Sequence, residues 1–178
     1  IVTNSGALRP IDARFVARVD EWLAEGIDID ADGQFSERST SVYSPTCDRA
    51  FLTVARLLGR EALLDPVRRN LEMTLFYLHA GGDVATEASR RQDQYRRGSP
   101  AGYHLPYRSL AIRDGNGRFA AAARLIETKA GDALAGNLIH FLDDPVLRRP
   151  LPPSASLPDD FARPFPGSDL VRIRRGLV

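Results

Sequence analysis

One cysteine, one lysine, one methionine and one tryptophan are all that this 178-residue chain holds of those four types. With Cys47 alone, no disulfide can form within the chain, so its core must rest on packing rather than on covalent staples. No stretch approaches the roughly 18–20 apolar residues of a membrane-spanning helix, so no membrane span is expected. No apolar secretory segment follows a basic start. No metal site and no cofactor is expected. The run Asp28-Ile-Asp-Ala-Asp-Gly33 matches the first half of a calcium loop, but the twelfth position, where a bidentate Glu belongs, is Ser39.

The shortage of lysine is a shift toward arginine. Lys129 stands against 23 arginines, for a net charge of +1. The charge is uneven: residues 1–89 carry 14 acids and 9 arginines, residues 90–178 carry 9 acids and 15 bases. Codon bias in a GC-rich genome gives such a composition. So does a need for planar, bidentate binding of carboxylate or sulfate. There is no basic helix with one clean face and no nucleic-acid-binding motif, so nucleic acid is not an expected partner.

What is present reads as globular. The hydrophobic fraction of 43% beside 26% charged residues lies far from the disordered class, and the length suits one domain of ordinary size. Helix signals recur. Pro10 opens the first helix, with Ile11, Phe15, Val19, Trp22 and Leu23 on one face and Gly26 at its end. Ser44-Pro45 reads as an N-cap and first position, followed by Cys47, Phe51, Val54 and Leu58, with Gly59 as the stop. Asp65-Pro66 repeats that opening, and Gly81-Gly82 closes the stripe Val67, Leu71, Thr74, Leu75, Leu78, with His79 as a C-terminal cap. Shorter patterns predict helices over Leu105–Ile112, Arg118–Ala130 and Leu134–Leu142. Pairs of helices with short turns predict stacked helical hairpins, either an open solenoid or part of an α/α toroid.

Six of the twelve prolines fall between Pro150 and Pro166, which reads as a linker. Beyond it Asp169–Arg175 alternates like a strand, with Val171 and Ile173 on one side. One strand cannot stand alone. The division expected is a partial helical domain over 1–149, a Pro-rich linker over 150–167, and the start of a truncated β domain over 168–178. The opening at Ile1 and this closing strand predict a piece of a longer protein.

Three segments can carry chemistry. Asp32–Tyr43 gathers Glu37, Arg38, hydroxyls and the Tyr43 phenol just ahead of a helix N-terminus, which favours anions. It reads equally as a capping loop with a Glu37–Arg38 surface pair. Thr86–Tyr95 places Arg90 and Arg91 beside Gln92 and Asp93. The arginines can hold an acidic ligand with Asp93 orienting one of them, or the run is a solvated loop. In Tyr103-His-Leu-Pro-Tyr107, His104 suits proton transfer near neutral pH, or a packed turn.

Asp32-Gly-Gln-Phe-Ser-Glu-Arg-Ser-Thr-Ser-Val-Tyr43, the paired helices through Leu63-Leu-Asp-Pro-Val67 to Tyr77, and Ser168-Asp-Leu-Val-Arg-Ile-Arg-Arg-Gly176 together resemble the heparinase II/III-like group of polysaccharide lyases. The resemblance covers roughly residues 10–176. It implies an α/α toroid followed by a β-sandwich, and β-elimination at a uronic acid of an acidic polysaccharide. It implies a periplasmic or secreted location. Tyr43 matches the family's catalytic tyrosine. Residue chemistry adds His104 as a second proton-transfer group, and Glu37, Arg38, Arg90, Arg91, Asp93 and Tyr95 as substrate-binding residues. No Asn-His pair of the kind this family uses on the substrate carboxylate occurs in the chain. The lyase expectation puts Tyr43, one arginine of the 90–91 pair and His104 in one groove. Two other readings stay open. A glycoside hydrolase on a similar toroid would pair Glu37 with Asp93, about 5–5.5 Å apart for retention or about 6.5–9.5 Å for inversion. A non-catalytic helical scaffold would line a groove with arginine to bind an acidic partner.

Overall fold

The computed structural model describes residues 13–176; the expected helix opening at Pro10 and Ile11 lies outside them. The chain is mainly helical and ends in a two-stranded antiparallel sheet. In order come α1 (Ala13–Ala24), α2 (Tyr43–Leu58), α3 (Leu64–Tyr77), α4 (His104–Asp114), α5 (Gly117–Ala130) and α6 (Leu138–Asp143), then β1 (Asp160–Phe165) and β2 (Leu170–Arg175).

Helix α3 is the centre of the core. Its Val67, Leu71, Met73, Leu75 and Tyr77 are buried, and each such burial contributes roughly 1.5–3 kcal/mol. Helices α4 and α5 form a hairpin closed by Gly115 and Asn116. Gly115 adopts the left-handed conformation (φ 65°) that ends α4, and the Asn116 side chain accepts from the amides of Arg118 and Phe119, capping α5. Tyr107 on α4 meets Phe119 on α5 edge to face, and donates its hydroxyl to the Leu71 carbonyl of α3 at 2.9 Å. A 3₁₀ turn (Gly131–Asn137) precedes α6, which is shorter than its sequence pattern predicts.

Two helix starts differ from expectation. Helix α2 begins at Tyr43, not after Ser44; Ser39 supplies the capping oxygen, accepting from the Tyr43 amide at 3.2 Å. Helix α3 begins at Leu64, on a preceding 3₁₀ turn, so Asp65 lies in its first turn. His79 does not cap α3. The helix stops at Tyr77, and the His79 imidazole instead lies 3.4 Å from Arg172.

The proline-rich segment differs most. It contains β1, which pairs in register with β2 from Asp160–Arg175 to Phe165–Leu170, so the expected lone strand has its partner next to it. Pro164 is tolerated because β1 is an edge strand. Phe161, Arg163, Phe165, Arg172 and Arg174 face α3, while Val171 and Ile173 point to solvent. Arginine can fill an inner face when its guanidinium stacks on rings. Arg163 lies 4.2 Å from the Phe76 ring centre and 5.1 Å from that of Phe165. Phe165 itself is fully buried against Tyr77 at 4.9 Å, so the hairpin shares the core of the helices.

Candidate functional site

Two loops meet at the start of α2. The first, residues 28–42, is shaped by the Asp30 carboxylate, which accepts from the amides of Asp32 and Gln34 at 2.9 Å each. Gly33 then passes α3 so closely that a Cβ would sit 2.4 Å from the Arg69 carbonyl oxygen, and Asn70 grips its carbonyl at 2.8 Å. Phe35 is buried and stacks on Phe51 of α2. The second loop, residues 85–98, is closed at its base where Val84 pairs with Gly98 (N–H to O, 2.9 Å). A Cβ on Gly98 would lie 2.4 Å from the Val84 carbonyl oxygen, so only glycine fits.

Asp93 joins the two loops. It is buried, and its Oδ2 accepts from Ser39 Oγ (3.0 Å), Ser41 Oγ (2.9 Å) and the Ser41 amide (3.2 Å), while Oδ1 accepts from Ser89 Oγ. Burial pushes this carboxyl up, but the hydrogen bonds from Ser89, Ser41 and Ser39 outweigh it and hold Asp93 below its ordinary value. Asp93 therefore stays charged, and serines rather than arginines surround it. The Arg90 amide also donates to the Glu37 carbonyl at 3.0 Å, and Thr40 Oγ1 to the Ala85 carbonyl.

On this base Arg91 lies across Tyr43. Its Cζ is 4.8 Å from the ring centre, and Nη2 donates to the hydroxyl at 3.2 Å. Glu37 holds the other side of the guanidinium at 3.6 Å. The hydrogen bond from Arg91 is the main cause of a phenol held below its ordinary value. Gln92 and the charge of Arg91 add to it, and Glu37 opposes. Tyr43 is partly exposed and outside the core. Arg38 (φ 52°) and Arg90 border this group, and their side chains have no hydrogen-bond or ion-pair partner among the described residues. Tyr95 sits on the same loop, 78% exposed and with φ 57°. The expected Glu37–Arg38 pair is replaced by Glu37–Arg91.

His104 has other partners. It is buried, with Nε2 3.0 Å from Glu127 of α5 and Nδ1 3.2 Å from the Asn137 amide nitrogen, and its ring stacks on Phe141. Asn137 thus holds the Nδ1 side of the ring and Glu127 the Nε2 side. Both nitrogens are engaged, and neither partner is Tyr43 or Arg91. The groove expected to unite Tyr43 with His104 is not formed by these contacts. Residues 104–107 are the packed first turn of helix α4, not a loop turn, and Tyr103 and Tyr107 are also fully buried.

Sequence reasoning missed Asp48. It is fully buried on α2 with Ser44 and Ala55, and neither carboxyl oxygen has a partner among the described residues. Burial pushes its carboxyl well above the ordinary range, which favours the neutral acid. The apolar stripe through Cys47 pointed one helical step away from this face, and Cys47 is only half-buried. Sequence reasoning also missed the serines at 39, 41 and 89. Ser89 lies four residues before Asp93, but Ser39 and Ser41 come from the other loop, so no sequence signal tied those two to this acid.

Comparison with protein-family models, with curated proteins and with solved structures finds no match to this chain.

Proposed function

We propose that this chain is part of a polysaccharide lyase that cleaves beside a uronic acid by β-elimination. The observation that carries the reading is the Arg91 guanidinium stacked on and hydrogen-bonded to Tyr43. Elimination needs a base for the weakly acidic C5 proton. It also needs a cation for the neighbouring carboxylate and an acid for the departing oxygen. A phenol near pKa ~10 is a poor base at neutral pH unless a cation stabilises its anion. Arg91 is that cation.

In this reading the Tyr43 phenolate takes the C5 proton. The electron pair of the C5–H bond becomes the C4=C5 double bond, the C4–O bond breaks, and the departing oxygen recovers a proton from the Tyr43 hydroxyl. Arg38 and Arg90 offer bidentate donors to the carboxylate, whose neutralisation makes C5 acidic. Tyr43 serves as both base and acid, because the nitrogens of His104 are already engaged. Tyr95 offers an exposed ring to a sugar face. The helices would be part of an α/α toroid, and the hairpin β1–β2 the edge of a β-sandwich. The glycoside hydrolase reading is less favoured, since both Asp93 oxygens are taken by serines.

The test is the ultraviolet absorbance of the unsaturated uronide, followed with the full chain on heparan, chondroitin, hyaluronan and alginate, beside Tyr43→Phe. Product formation that the variant abolishes supports the reading. Product formed equally by the variant removes Tyr43 from the chemistry. No product on any substrate moves the weight to a non-catalytic scaffold binding an acidic partner.

A further inference from the structure

Arg91 reaches Tyr43 from a loop about fifty positions further along the chain, at a surface where a free arginine samples many rotamers and its ordering costs up to about 2 kcal/mol. Something must hold the two backbones in register. The hydrogen bonds of the serine cage continue past Asp93 in two directions. Ser39 Oγ donates to Asp93 Oδ2 and accepts from the backbone amide of Tyr43 at 3.2 Å. Ser89 Oγ donates to Asp93 Oδ1 and accepts from the backbone amide of Arg91 at 3.1 Å. Each hydroxyl has one proton and gives it to the carboxylate, so its lone pairs are left to the amides. The two arms are equivalent: carboxylate oxygen, serine hydroxyl, amide of the functional residue.

We propose that Asp93 is a positioning residue, which sets Arg91 on Tyr43 by gripping the backbone amides of both through one serine each. Ser41 supplies two further donors to Oδ2 and so fixes the carboxylate's orientation between the arms. Only a charged carboxylate can accept from every donor here. An amide in its place turns one acceptor into a donor facing a hydroxyl. As an account of catalysis this inference rests on the lyase reading. As an account of geometry it is tested without substrate.

The experiment is a site-resolved titration of the Tyr43 phenol by NMR of ring-labelled tyrosine, assigned with Tyr43→Phe. The charged groups at that phenol are Arg91 and Glu37, and both are retained in the Asp93→Asn, Ser89→Ala and Ser39→Ala variants. Asp93→Asn, Ser89→Ala and Ser39→Ala are each expected to shift the phenol upward, toward its ordinary value. In the Ser89→Ala background, Arg91→Gln should add little further shift, because the contact it removes is already loose. Arg97→Ala, on the same loop but paired with Asp83, should leave the phenol unmoved. A folded serine variant whose Tyr43 titrates as in the parent overturns the proposal, whether or not Asp93→Asn folds. Loss of fold in both serine variants overturns it too, since the cage would then be a folding element and not a positioning device. Absence of any uronide product would remove the lyase reading and leave the titration result standing.

Discussion

Arg91 and Tyr43 touch twice. The guanidinium covers the ring face at 4.8 Å and donates to the hydroxyl at 3.2 Å. A cation over the ring and a donor on the oxygen both favour the phenolate. Of the five tyrosines, Tyr77, Tyr103 and Tyr107 are pushed the other way by burial. Tyr43 should therefore ionise before these three in an alkaline titration. Arg91→Gln should raise it, while Glu37→Gln, which removes an opposing charge, should lower it. Titration of Tyr43 together with the three buried tyrosines would contradict this.

Asp48 yields a stability prediction with a definite sign. Its carboxyl is raised on folding, so between the unfolded value near ~3.9 and the folded one the native state holds the extra proton. Its contribution is complete below the unfolded value and is lost as pH rises through the folded one. Asp48→Asn removes that slope. The variant should unfold at a higher urea concentration than the parent at neutral pH, with the gap closing near pH ~3. A gap independent of pH would show that Asp48 is not buried as the neutral acid.

The C-terminal hairpin should unfold with the helices. Phe165 has no exposed surface and meets Tyr77 at 4.9 Å, so Phe165→Ala should cost about 3–5 kcal/mol. Urea unfolding followed by tyrosine fluorescence and by far-ultraviolet dichroism should remain one coincident transition in the parent. An early, separate loss of β signal would mean that the hairpin is an independent unit.

Asn116 caps α5 with two hydrogen bonds, from Arg118 N at 3.0 Å and Phe119 N at 3.1 Å. Asn116→Ala should cost about 0.5–2 kcal/mol, and Asn116→Asp should recover most of it. A neutral alanine variant would place the start of α5 elsewhere.

Much of the helical layout was legible because Pro and Gly punctuate it: Gly59 stops α2 where a left-handed residue is needed. Boundaries slipped where the accepting oxygen lies outside the expected cap position, as that of Ser39 does for α2. Strand β1 was hidden by the prolines around it, which mark a linker by composition, while Pro164 within it suits an edge strand. In the site, Glu37, Arg91 and Tyr43 were legible as chemistry-bearing residues in two loops, and the fold brings these three together. Their pairing was not legible, because it depends on the contact between loops distant in sequence. Asp93 was misread as a partner for arginine, since charge suggests an ion pair while the fold surrounds it with hydroxyls. His104 looked like a proton carrier for its residue type, and only packing assigns its nitrogens to Glu127 and Asn137.

Val84 and Gly98 hold the two ends of the arginine loop side by side. A loop pinched at its neck has already lost the freedom that closing it would cost, so rewriting the residues inside changes the helical body little. Asp93 and its serines form a second pin within that loop. Between the two pins, Gln94, Tyr95 and Arg97 are exposed. The neck thus divides the molecule into a body that carries the packing and a short exposed stretch whose side chains can be exchanged with little cost to that body.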